Sequence, residues 1–185
     1  MPLADDLLPE EIDVMQRASD LPVNFLAMAV LANIWRAAQV FRLRMERTVL
    51  REFELTWASF STLFILWIWG PIETRDIAKS QSVTRATVTS IVSLLEARGL
   101  CLRRQSTVDR RLVLVELTPA GETLIKHVFP RFNRGEAEIA SSLSREEQET
   151  LAHLLRKVIS GAKKGLDGAS AVSQPANERT GAWEK

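Results

Sequence analysis

The sequence is poor in the residues that build covalent or metal-bound scaffolds. It contains one cysteine and two histidines in 185 residues. A single cysteine excludes an internal disulfide framework and a four-cysteine metal site, and it is typical of a reducing cytosol. No metal-ligand spacing joins His127, His153 and Cys101, so we expect neither a metal site nor a cofactor. Cys101 is interpreted as a buried, inert thiol.

Long apolar runs are also missing. The densest runs, residues 25–32 and 63–69, are far shorter than the roughly 20 residues that a membrane span needs. Residues 1–20 contain six acidic residues and one basic residue, whereas a signal peptide is basic and then apolar. We therefore expect a soluble, cytoplasmic protein with no membrane partner.

The net charge of +1 averages over segments of opposite sign. Residues 75–111 carry eight basic and three acidic residues, a local charge of +5. A basic block in a near-neutral chain indicates a surface that binds a polyanion. The alternative is an ordinary solvated surface, and the positions of the basic residues distinguish the two.

Helical spacing of apolar residues surrounds this block. Residues 23–53 are predicted to form a helix too long for a small domain to cover, so part of its apolar face should meet another chain. A second helix is predicted to begin at Thr56 and to end at Gly70. After the block, a helix should start at Thr118-Pro119 and be kinked or broken by Pro130. A Ser144–Glu147 capping box should start the last helix, which Gly161 closes.

The basic block itself is predicted to be a helix-turn-helix followed by a hairpin. Segments 73–80 and 84–98 are helical and joined by a tight turn, with Gly99 as the stop. Strands 100–104 and 111–117 follow, and their connection is long enough to protrude. Two helices joined in this way are the unit that fits a major groove.

The second helix and the hairpin carry the residue types that bind DNA. Small hydroxyl side chains let the backbone approach phosphates and base edges, and arginine binds guanine through two hydrogen bonds. Thr84 is the predicted N-cap, where the helix dipole favours phosphate, and a thin hairpin with arginines suits a minor groove. Arg104 has an equal alternative as a structural ion-pair partner, and Asp109 is interpreted as the salt-bridge partner that orients the wing. The candidate DNA-contacting residues are Ser82, Thr84, Arg85, Ala86, Thr87, Thr89, Ser90, Arg103, Arg104, Arg110 and Arg111.

Two stretches are specific enough to indicate a family. They read DIAKSQSVTRATVTSIVSLLEARGL and RRQSTVDRRLVLVELTPAG, and together they resemble the MarR family of bacterial transcription regulators. The chain departs from the family pattern at Gln81, where an apolar residue is frequent, and at Ser90, where arginine is frequent. The family's wing pattern, Asp-Arg-Arg before a strand that ends in Leu-Thr-x-x-Gly, is matched by Asp109, Arg110, Arg111, Leu117, Thr118 and Gly121.

The resemblance implies a mostly α fold with a small β-hairpin wing. A winged helix-turn-helix over residues 56–118 would be flanked by N- and C-terminal dimerisation helices at 21–55 and 119–160. Residues 1–20 would form a flexible acidic N-terminus, and 161–185 a disordered tail. The implied protein is a homodimer that binds a pseudo-palindromic operator, with half-sites about one turn of DNA apart. Members of the family usually repress transcription, and an effector bound between the dimerisation helices and the DNA-binding domain usually weakens that repression.

Aromatic residues on the first two helices suggest what that effector is. Packing in the core is their more frequent role, but the resemblance places the effector site beside these helices. The hypothesis is a small aromatic or lipophilic effector. Its candidate residues are Trp35, Phe60, Phe64 and Trp67, with Arg36 as an anion partner.

Two rival functions are considered. An enzyme is disfavoured because the sequence shows no nucleophile elbow, no phosphate-binding glycine loop, no metal-binding cluster and no Cys/His pair by spacing. A winged-helix protein-interaction module that no longer binds DNA is disfavoured by the intact cationic hairpin. The sequence therefore predicts a DNA-binding transcription regulator, and the resemblance to the family implies that it acts as a repressor.

Overall fold

The computed structural model of the chain describes residues 7–107, 109 and 111–164. They are mostly helical with one small sheet, which confirms the predicted fold class. The chain divides into two compact units, residues 1–139 and 140–185. Among the described residues, no helix is both long and apolar enough to span a membrane. The elements are α1 (Pro9–Arg17), α2 (Phe25–Thr48), a 3-10 turn (Leu50–Phe53), α3 (Trp57–Trp69), β1 (Ile72–Glu73), α4 (Thr74–Gln81), α5 (Arg85–Ala97), β2 (Cys101–Gln105), β3 (Val113–Leu117), α6 (Pro119–Ala140) and α7 (Arg145–Lys164).

The N-terminal segment is more ordered than its composition suggests. Helix α1 occupies residues 9–17, so the prediction of a flexible N-terminus was wrong there, and residues 1–6 lie outside the described chain. Acidic residues in the first turn complement the helix dipole. Glu11 is buried, and its carboxylate accepts hydrogen bonds from the backbone N of Leu8 at 3.0 Å and from Nδ2 of Asn33 in α2 at 3.1 Å. This anchoring between distant residues leaves no periodic sequence signal.

The long helix predicted over 23–53 ends earlier, at Thr48, and a 3-10 turn follows it. Glu54 ends that turn in the left-handed conformation, with φ of 53°. Arg98, at the C-terminal end of α5, donates to the carbonyl oxygens of Glu54 at 2.7 Å and Phe53 at 3.0 Å. Arg131 of α6 pairs with Glu52 of the same turn at 2.9 Å. The turn is therefore held by two helices that are distant in sequence.

The small sheet is antiparallel, in the order β1-β3-β2. Cys101 pairs with Leu117 and Gln105 with Val113, so β2 and β3 form the predicted hairpin. Strand β1 was not predicted, because two residues are too few to show an alternating pattern. The core beneath the sheet collects side chains from α2 to α6: Met45, Leu50, Leu63, Ile77, Val88, Val92, Leu95, Val115, Ile125 and Val128 are all fully buried.

Two helices continue past positions where the sequence predicted an interruption. Of the kink or break predicted at Pro130 the break is absent, since α6 continues through this residue. Pro130 is exposed, where solvent can replace the hydrogen bond that proline cannot make. Helix α7 continues past Gly161 to Lys164, so the prediction of a tail from 161 was wrong for residues 161–164, and residues 165–185 lie outside the described chain.

The capping box that starts α7 is confirmed. The backbone N of Glu147 donates to Oγ of Ser144 at 3.3 Å, and the backbone N of Ser144 donates to the Glu147 carboxylate at 2.7 Å. Hydrogen bonds from the backbone and the side chain of Ser144 to the carboxyl group of Glu147 lower its pKa.

Candidate nucleic-acid interface

Helix α5 divides cleanly into a buried face and a polar outer face. Val88, Val92 and Leu95 are fully buried, because their spacing of four and three residues places them on one side. Thr84 caps the helix as predicted, since its side chain accepts from the backbone N of Thr87 at 3.1 Å. All the candidate contacts on and before this helix are exposed: Ser82, Thr84, Arg85, Ala86, Thr87, Thr89 and Ser90.

The outer face combines short hydroxyl side chains with one cation. Thr89 and Ser90 bond back to their own helix, to the carbonyl oxygens of Arg85 at 2.9 Å and Ala86 at 3.2 Å. Among the described residues, Arg85 has no ion-pair partner. The first turns of this face therefore carry short polar side chains, and the guanidinium group of Arg85 projects there without an ion-pair partner among the described residues.

The turn between α4 and α5 shows how Gln81 replaces an apolar residue. Ser82 adopts a left-handed conformation with φ of 54° and ends α4. The Gln81 side chain is half-buried, and its Nε2 donates to Oγ1 of Thr62 at 2.8 Å. Thr62 is fully buried in α3 and donates in turn to the carbonyl of Ala58 at 2.8 Å. Sequence reasoning missed Thr62, although a threonine inside an otherwise apolar helix marks a position that needs a partner.

The wing arginines do not behave as a uniform cationic surface. Arg104 pairs across the hairpin with Glu116, through two hydrogen bonds of 3.0 and 2.8 Å. Arg103 turns toward α5, where it pairs with Glu96 and donates to Oγ of Ser93 at 3.0 Å. Both cations are thus partly neutralised by carboxylates of the chain itself.

The described part of the wing tip is built on Asp109 and Arg111. The Asp109 carboxylate accepts from Nε of Arg111 at 3.0 Å, from its terminal nitrogen at 2.8 Å and from its backbone N at 3.0 Å. These hydrogen bonds from Arg111 lower the pKa of Asp109. The Arg111 side chain is 88% exposed, so the ion pair leaves it accessible at the tip. Arg110, the other predicted contact, lies outside the described residues.

The Leu-Thr-x-x-Gly motif closes the base of the wing on α6. Thr118 donates its hydroxyl to the carbonyl of Gly99 at 2.6 Å and its backbone N to the carbonyl of Leu100 at 3.1 Å. Its Oγ1 also accepts from the backbone N of Gly121 at 3.1 Å. A Cβ atom on Gly121 would lie 1.9 Å from the Leu100 oxygen. Glycine is therefore required where α6 meets the start of β2.

The aromatic residues considered for an effector site do not all lie together. Phe60 stacks on Phe132 of α6, with ring centroids 4.3 Å apart, and Phe64 and Trp67 pack against Phe129 at 5.2 and 5.5 Å. Sequence reasoning missed the two α6 phenylalanines, although their spacing of three residues places them on one helix face.

Trp35 and Arg36 lie on α2 and make different contacts. The Trp35 side chain is 65% exposed, and among the described residues its ring belongs to none of the aromatic pairs. Arg36 donates to Oδ1 of Asn33 at 2.9 Å. The described structure therefore joins Phe60, Phe64 and Trp67 in one cluster and leaves Trp35 outside its ring contacts.

Cys101 lies at the start of β2 and is buried, as predicted, with 1% of its surface exposed. Burial raises the pKa of its thiol to about 11, and the Glu96 carboxylate acts in the same direction. At neutral pH the thiol is therefore protonated and a poor nucleophile.

Comparison with known proteins places this arrangement in a family. Residues 55–113 match the model of the MarR family. The HTH-type transcriptional regulator YwaE of Bacillus subtilis is 38% identical over 155 residues, covering 82% of this chain and 91% of the relative.

Two solved structures are similar in fold. BpsR of Bordetella bronchiseptica, whose DNA binding is regulated by 6-hydroxynicotinic acid, is 30% identical with a TM-score of 0.63, covering 70% of this chain and 97% of that one. MepR of Staphylococcus aureus, solved as a complex with DNA, is 26% identical with a TM-score of 0.63, covering 71% and 97%. The winged helix, the match to the family model and the similarity to YwaE together show that this chain belongs to the MarR family of HTH-type transcriptional regulators.

Proposed function

We propose that the chain is a sequence-specific, DNA-binding repressor of the cytoplasm that acts as a homodimer. The observation that carries the proposal is the outer face of α5, where a free guanidinium and short hydroxyl side chains project beside a wing with an accessible arginine at its tip. This face would enter the major groove, while Arg111 and Arg110 would approach the adjacent minor groove. The role requires binding and no catalysis.

Unpartnered apolar surface supports the homodimer. On α2, Leu26 is 70% exposed, and Leu31 and Val40 are exposed as well. Helix α7 contains no buried residue, although Leu154 and Ile159 lie on its apolar stripe. Exposed apolar residues that recur along a helix indicate an interaction site, and a second copy of the chain would cover them.

DNA binding is tested with a duplex that the wild-type protein selects from a random-sequence library. Affinity measured by fluorescence anisotropy should fall steeply with salt, since each neutralised phosphate releases counterions. Arg85→Ala should weaken binding by about tenfold, the equivalent of about 1.4 kcal/mol, and should change the selected sequence. Arg145→Ala is the matched control, because Arg145 is an exposed arginine on α7 that pairs with Glu149, outside the candidate interface. Absence of duplex binding at low salt would refute the proposal in favour of a protein-interaction module.

We also propose that a small aromatic acid releases the protein from DNA. Phe60 is buried in the core, and the half-buried Phe64 and Trp67 beside it offer flat apolar surface, while Arg36 supplies a cation on α2. The relative BpsR, which responds to 6-hydroxynicotinic acid, supports this class of ligand. Titration with 6-hydroxynicotinate and benzoate should change tryptophan fluorescence and raise the dissociation constant for DNA. A broad panel of aromatic acids without effect on either signal would refute this part of the proposal.

A further inference from the structure

One arginine fastens the first strand of the wing to the recognition helix α5. The guanidinium of Arg103 donates to the carbonyl of Thr89 at 3.1 Å and to Oγ of Ser93 at 3.0 Å, and it forms an ion pair with Glu96. These three partners follow one another along α5 at steps of four and three residues, so they form one face. The backbone N of Arg103 also donates to the second Glu96 oxygen at 3.0 Å. The residue is thus tied to α5 by both its side chain and its backbone.

We propose that Arg103 is a positioning residue that fixes the wing relative to α5, and that it does not itself contact DNA. This inference rests on the proposed function. The terminal nitrogen that reaches Thr89 and Ser93 has both of its N–H groups engaged, and the other terminal nitrogen is engaged by Glu96. A forked contact with guanine or phosphate would require this network to break. The carboxylate of Glu96 also offsets the positive charge that DNA would meet.

The fastening matters because two parts of the protein must reach neighbouring grooves at the same time. Thr89 belongs to the candidate DNA-contacting face, and its carbonyl is one of the atoms that hold Arg103. The wing is closed at its base by Thr118, and Arg103 lies further along β2, between that base and the tip. Without Arg103 the outer part of the wing would be free to move relative to α5. Binding to DNA would then have to order the wing, and the conformational entropy lost in doing so would reduce affinity.

Arg104 provides a matched control within the same strand. It is the same residue type, one position further along β2, and it is also paired with a carboxylate. Its partner, Glu116, belongs to β3, so this ion pair holds the two wing strands to each other and makes no contact with α5 among its described hydrogen bonds. A comparison of Arg103→Gln with Arg104→Gln therefore separates two effects: the loss of the contact between the wing and α5, and the loss of a positive charge on the wing.

The experiment measures binding of the selected duplex by Arg103→Gln, Glu96→Gln, the double variant and Arg104→Gln. We expect Arg103→Gln and Glu96→Gln each to weaken binding by about tenfold, and the double variant to be no weaker than either single variant. Arg104→Gln should have a smaller effect. Glu96→Gln is the decisive variant, because it removes a negative charge near DNA and should nevertheless weaken binding. Stronger binding by Glu96→Gln would overturn the inference.

The salt dependence gives a second criterion. If Arg103 neutralised a phosphate, Arg103→Gln would reduce the slope of log affinity against log salt by about 0.9. We expect the slope to stay at the wild-type value. Arg103→Lys should behave as Arg103→Gln does, since a single ammonium cannot reproduce the fork. A normal affinity of Arg103→Lys, or a reduced slope in Arg103→Gln, would identify a phosphate contact instead.

Amide hydrogen exchange separates this inference from the proposed function. In the wild-type protein, the backbone N–H at position 103 donates a hydrogen bond to the Glu96 carboxylate. Without DNA, Arg103→Gln and Glu96→Gln should both accelerate hydrogen exchange at this backbone N–H, while Arg104→Gln should leave its exchange rate unchanged. Unchanged exchange in the first two variants would overturn the fastening. If the wild-type protein bound no duplex while these variants exchanged faster, the proposed function would fall and the fastening would stand.

Discussion

Replacing Gly121 by alanine should be among the most damaging single changes in this chain. The added Cβ would lie 1.9 Å from the oxygen and 2.9 Å from the carbon of the Leu100 carbonyl, and 3.2 Å from Cδ2 of Leu117. The carbonyl cannot move away freely, because its oxygen accepts the backbone N–H of Thr118 at 3.1 Å. Either α6 shifts away from the wing or that hydrogen bond breaks.

The expected magnitude follows from this geometry. Overpacking usually costs about 1–3 kcal/mol, and a clash with backbone belongs at the upper end of that range. A loss of about 3 kcal/mol corresponds to a fall in Tm of roughly 6–12 °C for a chain of this size. Because the wing base is displaced as well, we expect DNA affinity to fall together with stability.

The assay is urea unfolding followed by circular dichroism, with all variants at the same protein concentration because dimerisation contributes to stability. Gly161→Ala is the matched control, since Gly161 is also helical and a Cβ there meets nothing within 4 Å. That control should be neutral or up to about 1 kcal/mol more stable, from helix propensity alone. A free energy of unfolding for Gly121→Ala within about 0.5 kcal/mol of wild type would refute the reasoning.

Three further outcomes are expected. Arg98→Ala should lower the free energy of unfolding by about 1–2 kcal/mol, since it removes two hydrogen bonds that hold the Glu54 turn; an unchanged urea midpoint would contradict this. The folded state binds the proton of the Cys101 thiol more tightly than the unfolded chain does, so the free energy of unfolding should fall as pH rises from 9.0 to about 11. An equal fall in a Cys101→Ala variant would show that Cys101 is not the cause. Truncation after Ser144 removes α7 and should give a monomer by analytical ultracentrifugation; a stable, DNA-binding dimer would refute the proposed dimerisation role.

The parts of the fold that the sequence predicted are those specified by neighbouring residues. The start of α5 depends on a hydrogen bond between Thr84 and Thr87, and its end on Gly99, whose φ of 69° favours glycine. Capping and stop signals of this kind act over three or four residues. The hairpin was predicted for the same reason, because its connection and its closing Leu-Thr-x-x-Gly motif lie within one short stretch of the sequence.

The parts that were missed depend on partners distant in sequence. Helix α1 has local start signals, namely Pro9 and the acids of its first turn, but the bond that anchors it to α2 joins Glu11 and Asn33, which are 22 residues apart. The pairing of β1 with β3 likewise joins two strands separated by two helices and strand β2, and Ile72 meets Val115 only in the folded chain. The orientation of Arg103 toward α5 could not be inferred from its position in a basic hairpin, because arginines that face DNA and arginines that face a neighbouring helix occupy similar sequence patterns.

The bond between Gln81 and Thr62 has a consequence for which substitutions each of the two positions tolerates. The two positions are 19 residues apart and lie on different helices, yet the amide of one is satisfied by the hydroxyl of the other. Loss of the Thr62 hydroxyl alone would leave the half-buried Gln81 amide without this partner. Loss of the glutamine alone would leave the Thr62 hydroxyl bonded to the carbonyl of Ala58 in its own helix. The two positions are therefore coupled unequally, and the chain should tolerate an apolar residue at 81 better than an apolar residue at 62.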